Sequence, residues 1–312
     1  MKNKSMIIGI IAILLIAAGI TIPKFVGGNS EPISETITIT HALGETAVTT
    51  NPERVVVFDL GILDSLDALG VNVIGVPQKS LPDYLSKYAG EEYTNIGTLK
   101  EPDMETIFAL TPDLIIISGR QADYYEELSK IAPTVHLGVD NADYLGSFKN
   151  NMNTLGQIFG KEKEVATKVE DIEKAIAELN AKVTEKNVSG LVTLANDGEF
   201  SVYGQESRFG IIHKEFGVTP VDTTIEAGTH GQKATFEYVA EKNPQYIFVI
   251  DRGAVAGGES PAKELFDNEL VARTDAYKND NIVYLDPVIW YTSVGGFTST
   301  AKMVEEVSAG IK

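Results

Sequence analysis

This 312-residue sequence predicts an α/β protein of two Rossmann-like lobes joined by one long helix, with a cleft between the lobes. Three observations predict it. The first is a helix–strand–arginine unit that occurs twice, at Met104–Arg120 (METIFALTPDLIIISGR) and at Phe236–Arg252 (FEYVAEKNPQYIFVIDR). In both copies a glutamate (Glu105, Glu237) lies seven residues before a proline (Pro112, Pro244), and an arginine (Arg120, Arg252) lies eight after it. Apolar residues ahead of each proline, Met104, Ile107 and Phe108 or Phe236, Val239 and Ala240, have the i, i+3, i+4 spacing of a helix that the proline ends. The runs that follow, Leu114–Ser118 and Tyr246–Ile250, have the length and continuity of parallel strands buried on both faces. The second observation is that such runs alternate with helical patterns through both halves of the chain. The third is one long amphipathic pattern from Glu162 to Glu185, in which Val165, Val169, Ile172, Ile176, Leu179 and Val183 recur at steps of four and three. Bounded by Gly160 and Gly190, it reads as a single packed helix rather than a coiled coil. The expected organisation is an N-terminal segment and spacer (1–35), an N-terminal lobe (36–145), a connecting helix (146–188) and a C-terminal lobe (189–312).

The elements follow in order. Met1-Lys2-Asn3-Lys4 is basic and is followed by a charge-free apolar run from Met6 to Ile22, roughly 26 Å long as a helix at about 1.5 Å per residue. That length lies between a long signal peptide and a short membrane anchor. No convincing small-x-small site follows, which favours an uncleaved anchor, with the lysines inside and the remainder extracytoplasmic; secretion after cleavage is the alternative. Gly27 to Ser34 reads as a flexible spacer. Ile37–Ile39 and Ala47–Thr49 alternate as an edge hairpin. Arg54–Phe58 is the first buried strand, and Ile62–Leu69 is a helix ended by Gly70. Val73–Val76 is the second strand. The polar and aromatic segment from Pro77 to Gly97, with Lys79, Tyr84 and nearby Lys100, is expected to cover a binding cleft. After the first repeat unit come a helix near Ala122–Ile131 and a strand at Thr134–Leu137. Gly190–Ala195 and Phe200–Tyr203 pair around the turn Asn196-Asp197-Gly198. Arg208 precedes a helix at Gly210–Phe216, and Thr229-His230-Gly231-Gln232 forms a glycine-flanked loop. A last strand, Ile282–Leu285, delivers Pro287, Trp290 and Tyr291, before a closing helix near Thr298–Ile311.

Composition narrows the function classes. At 43% hydrophobic the chain can bury a sizeable core, and 26 basic against 44 acidic residues give a net charge of −18, which disfavours nucleic acid. The absence of cysteine removes disulfides, thiol catalysis and thiolate metal sites together. There is no G-x-S-x-G elbow, no G-x-G-x-x-G and no G-K-[ST] loop, so the chain reads as a binding module and not an enzyme. In open α/β sheets ligands bind beyond the carboxyl ends of strands, and a twice-used strand–Arg unit points two guanidinium groups into one cleft. By residue type alone, His230 reads as a loop histidine and Tyr291 as an aromatic beside Trp290. His41, His136 and His213 have no partner at metal-site spacing.

NPERVVVFD, TLKEPDME, PDLIIISGRQ, IAPTVHLGVD, ANDGEFSVYG with ESRFGIIH, THGQ, FVIDRG and DPVIWY carry a resemblance that covers nearly everything after residue 36. The chain resembles the class III substrate-binding proteins of iron-siderophore and vitamin B12 ABC importers. More narrowly, it is similar to the Gram-positive petrobactin-binding branch of ferric catecholate binders. The resemblance implies a positive floor of Arg120, Arg208 and Arg252 for an anionic ferric catecholate, with Trp290 in the binding site. It implies His230 and Tyr291 as conditional ligands to the siderophore's iron. It also implies Glu105 and Glu237 as docking residues for the permease, which works with an ATPase. No intrinsic cofactor, no catalytic residue and a monomer are expected; haem or cobalamin capture by the same fold is the alternative ligand class. The missing lipobox cysteine departs from the family pattern and puts the mode of anchoring in question.

Overall fold

A computed structural model describes residues 35–312, and the expected anchor at Met6–Ile22 and the spacer lie outside the described residues. Among the described residues no helix is long and apolar enough to cross a membrane. The N-terminal half contains β1 (Thr36–His41), β2 (Gly44–Thr49), β3 (Val55–Val57), α1 (Leu60–Ala68), β4 (Gly75–Val76), β5 (Thr94–Asn95), α2 (Met104–Ala109), β6 (Leu114–Ile117), α3 (Tyr125–Leu128) and β7 (Thr134–His136). Two helices follow, α4 (Tyr144–Phe159) and α5 (Glu162–Glu185). The C-terminal half contains β8 (Ser189–Asn196), β9 (Glu199–Tyr203), α6 (Ile211–Lys214), β10 (Thr219–Pro220), β11 (Gln232–Lys233), α7 (Phe236–Lys242), β12 (Tyr246–Asp251), α8 (Gly253–Ala256), α9 (Ala262–Phe266), α10 (Asp275–Lys278), β13 (Ile282–Leu285) and α11 (Phe297–Gly310).

The first sheet has the order β5-β4-β3-β6-β7 and is parallel throughout, while β1 and β2 form a separate antiparallel hairpin. The second has the order β11-β9-β8-β12-β13; β8, β12 and β13 are parallel, β9 and β11 are antiparallel additions, and β10 joins the start of β8. Both sheets are covered on both faces, and the alternation of side chains shows how. On β6, Ile115 and Ile117 join an outer cluster with Val56 and Ile107, while Leu114 and Ile116 face inward. On β12, Ile247 and Val249 face an outer cluster around Phe266, while Phe248 and Ile250 face inward. The inward faces of both sheets belong to one continuous core that includes Phe148, Val169, Ile176 and Val307 from α4, α5 and α11. Burying each such side chain contributes about 1.5–3 kcal/mol, so the helices weld the two lobes together rather than merely tethering them.

The repeat is closely kept at the level of caps and turns. Asp103 caps α2 by accepting from the Thr106 amide, and Thr235 caps α7 by accepting from the Tyr238 amide. Each helix then ends with a residue of positive φ directly before the proline, Thr111 at 43° and Asn243 at 42°. Asn adopts that left-handed conformation readily; a β-branched Thr does not.

Four features differ from the sequence-based expectation. The connection between lobes is two helices, α4 and α5, where 146–188 was expected as one, and the turn at Gly160 (φ +61°) separates them. The last helix, expected within the C-terminal lobe, packs on α1 and α5. Its first amides donate to the buried Asp64 carboxylate on α1, Thr298 at 3.0 Å and Ser299 at 2.7 Å. In the segment 77–97, expected over the cleft, Tyr84 and Tyr88 instead donate to Asp64 and Asp67 of α1, Thr94–Asn95 forms the edge strand β5, and no residue lines the cleft. Phe108, expected on the apolar face of α2, is 69% exposed, because Ile107, with Met104 and Leu110 packed partly buried beside it, fills the space under that short helix.

Candidate functional site

The carboxyl ends of the central strands in both sheets open onto one cleft of about 810 Å³. The N-terminal lobe lines it with Asp59 after β3, Ser118, Gly119 and Arg120 after β6, and Gly138 after β7; the C-terminal lobe lines it with Asn196 at the end of β8 and Arg252 after β12. This is where open α/β sheets place ligands, because chains diverging at neighbouring strand ends leave a crevice between them.

Three guanidinium groups converge there on one residue. Arg120 begins the turn after β6, where Ser118 and Gln121 form a reciprocal capping box, and its Nη2 donates to the Tyr291 carbonyl at 2.6 Å. Arg208 reaches the same carbonyl from the other lobe, at 2.7 Å. Arg252 donates from Nε to the Tyr291 phenol oxygen at 2.9 Å and from Nη1 to Asn196 Oδ1 at 2.5 Å. The Arg208 guanidinium carbon lies 4.1 Å from the centre of the Tyr291 ring, with those of Arg252 and Arg120 at 5.6 and 6.0 Å. No carboxylate within 4.0 Å neutralises any of the three among the described residues, so the cleft concentrates positive charge in a strongly acidic protein. Burial, and then the charge of Arg120, push the Arg208 pKa below its ordinary value. On the Tyr291 phenol, burial is the largest single influence and acts upward. The Arg252 hydrogen bond and the charges of Arg208, Arg252 and Arg120 together outweigh it, and the net shift is downward.

Tyr291 is presented by a π-helical turn, Val288–Thr292, which Asp286 Oδ1 starts by accepting from the Val288 amide at 2.8 Å. Such turns often mark functional positions. The same turn sends Trp290 the other way. Expected in the site, Trp290 is fully buried in the core, where its Nε1 donates to Glu306 at 2.8 Å and its ring meets Phe216 edge-on; it does not line the cleft. His230 does line it, from the loop before β11. Its carbonyl accepts from the Tyr203 hydroxyl at 3.0 Å, and Gly231 follows at φ +68°, where a Cβ would meet the Tyr203 ring at 2.7 Å. Lys100 lines the cleft, whereas Lys79 and Tyr84 do not. Among the described residues no three His, Asp or Glu side chains cluster as a metal site. Glu105 and Glu237 are exposed in the first turns of α2 and α7, away from the cleft. Asn196 was read from the sequence only as a turn residue, and its place beside Arg252 becomes visible through the strand register.

Two lobes with a cationic cleft at their strand ends define the class of extracytoplasmic substrate-binding proteins. Residues 55–289 match the model of the periplasmic binding protein family, and the chain belongs to that family. It is 46% identical to the petrobactin-binding protein YclQ of Bacillus subtilis, over 91% of this chain and 90% of that protein. The crystal structure of YclQ matches with a TM-score of 0.87 over 89% of this chain and 99% of that one, at 47% identity. The catecholate-siderophore binding protein VctP of Vibrio cholerae matches with a TM-score of 0.84 and 36% identity, over 88% of this chain and 100% of that one. The ferric-anguibactin-binding protein FatB of Vibrio anguillarum is 34% identical over 90% of this chain and 89% of that protein.

Proposed function

We propose that the chain captures a ferric catecholate siderophore of the petrobactin type outside the cytoplasm and passes it, chemically unchanged, to an ABC permease and its ATPase. The observation that carries this reading is the convergence of Arg120, Arg208 and Arg252, from both lobes, on Tyr291 in the cleft. A ferric catecholate complex carries up to about three negative charges, and guanidinium keeps its charge in a cleft while donating in a fixed fork to oxygens. The names of the similar proteins support the same ligand class. Iron here is cargo within the siderophore and not a resident cofactor. Cobalamin, the alternative with haem, is not a strong anion and would leave this charge unused.

His230 and Tyr291 act in this reading as conditional ligands. A siderophore with two catechol arms leaves positions open on its iron, which an imidazole and a phenolate can fill. A complex whose positions are already full leaves them nothing to bind. Glu105 and Glu237 dock on the permease; their equivalent, exposed places and the solvent-facing Phe108 beside Glu105 support this. The charge-free run Met6–Ile22 supports retention at the outer face of the membrane as an uncleaved anchor. Calorimetric titration with an iron(III) catecholate complex, haem and cobalamin tests the ligand class: saturable binding of the catecholate alone is expected, and saturation by haem or cobalamin instead would replace the reading.

A further inference from the structure

The register of the second sheet brings together two residues that lie far apart in sequence. β8 and β12 run parallel with Ala195 opposite Asp251, so the next residue on each strand, Asn196 and Arg252, emerges side by side at the edge facing the cleft. The Arg252 amide donates to the Ala195 carbonyl at 2.9 Å, and Arg252 Nη1 donates to Asn196 Oδ1 at 2.5 Å. On the other side, Asp197 and Gly198 take φ values of 50° and 83°, a hairpin turn whose opposing pair is Asn196 and Glu199. Asn196 is thus fixed by a tight turn, by its strand and by its neighbour's guanidinium.

Chemistry fixes the orientation of the amide as well. A guanidinium only donates, so the Asn196 atom facing Arg252 is the oxygen, and the NH₂ group points away from it. That nitrogen makes no hydrogen bond among the described residues, and it is not sealed from solvent, since no buried side-chain nitrogen lacks a partner. Asn196 is half-buried and lines the cleft. A neutral double donor therefore stands open beside the cationic floor, with its direction already set and little rotamer freedom left to lose on binding.

We propose that Asn196 is a ligand-contacting, specificity-determining residue of the cleft: its oxygen orients Arg252, and its NH₂ donates to an oxygen of the bound anionic chelate. This rests on the reading of the cleft as the site of an anionic ferric complex. A neutral donor at this position discriminates by geometry, favouring ligands that place an oxygen acceptor over the β8 edge, whereas the arginines respond mainly to charge.

The test is a set of calorimetric titrations with an iron(III)–tris(catecholate) complex on the wild-type chain, Asn196→Ala, Asn196→Asp, Arg252→Ala and the Asn196→Ala/Arg252→Ala pair. Thermal unfolding of each variant accompanies them. Asn196→Ala should weaken binding by about tenfold, the loss of one hydrogen bond to a charged ligand. A severalfold loss should persist when Asn196→Ala is added to Arg252→Ala, because the donated bond does not pass through the arginine. Asn196→Asp keeps the shape and the acceptor for Arg252 but presents an anion in place of the donor, so it should bind more weakly than Asn196→Ala. Wild-type affinity in either single Asn196 variant overturns the proposal. So does a double variant no weaker than Arg252→Ala, which would mean that Asn196 acts only by positioning the arginine. Failure of the underlying reading looks different: Arg120→Ala, Arg208→Ala and Arg252→Ala would then all bind as the wild type does.

Discussion

Replacing Tyr291 by Phe removes a single oxygen from the centre of the arginine cluster. The carbonyl that accepts from Arg120 and Arg208 stays, and so does the ring 4.1 Å from the Arg208 guanidinium. What goes is the acceptor for Arg252 Nε. A hydrogen bond to a charged group contributes about 1.5–3 kcal/mol when sealed from water; both residues here are half-buried, which discounts it to about 1 kcal/mol. The larger signature is in the alkaline range. Burial raises the phenol, but the Arg252 hydrogen bond and three positive charges lower it further, to a net pKa below the ordinary 10.0. For an acid depressed in this way, the stabilisation by ionisation is complete above the unfolded value and is lost as pH falls through the folded one. Between those two values the wild type should therefore gain stability over Tyr291→Phe as pH rises. Burial pushes Tyr84, Tyr88, Tyr144, Tyr203, Tyr238 and Tyr284 upward, so Tyr291 should be the first of this group to ionise. Tyrosinate absorbance followed through an alkaline titration would show an early step that disappears in Tyr291→Phe. An early step of equal amplitude in the variant would refute the reasoning.

Thr111→Asn should stabilise the fold by about 1 kcal/mol in urea unfolding, because the repeat already uses Asn at the matching left-handed position; a loss of stability would mean the Thr methyl group has a packing role. Glu105→Arg with Glu237→Arg should leave ligand titrations unchanged and abolish iron uptake by cells, and undiminished uptake would remove both residues from docking. His230→Ala should weaken binding of a two-catechol ferric complex strongly and of a coordinatively saturated one little, measured by parallel titrations. Equal losses for both would return His230 to a loop role.

The fold was legible where periodicity and turn chemistry agree. The pattern of Val165 to Val183 predicted α5 within its observed bounds, and Asn196-Asp197-Gly198 predicted the β8–β9 turn. The strand ends placed Arg120 and Arg252 at the cleft, and the resemblance added Arg208. Helix α4 was not legible as an element of its own and fell inside the expected connecting helix 146–188; Gly146, Gly156 and three asparagines lower its propensity. Burial of Tyr144, Phe148, Met152, Leu155 and Ile158 overrides that deficit. Trp290 was misplaced because neighbouring aromatics on one turn give no sign of which faces the cleft, and the π-helical turn decides it. The segment 77–97 looked like a cleft cover because its tyrosines and lysines suit one. Tyr84 and Tyr88 are in fact donors to carboxylates on α1, a pairing that depends on tertiary placement alone.

The central claim is that Arg120, Arg208 and Arg252 together hold an anionic ferric chelate in the cleft. Titration of an iron(III) catecholate complex into the wild type and the three single alanine variants tests it most directly, with thermal unfolding confirming that each variant is folded. Each substitution removes charge-assisted contacts of about 1.5–3 kcal/mol, so each folded variant should bind about tenfold to a hundredfold more weakly. Wild-type affinity in all three folded variants would contradict the account and place the ligand elsewhere.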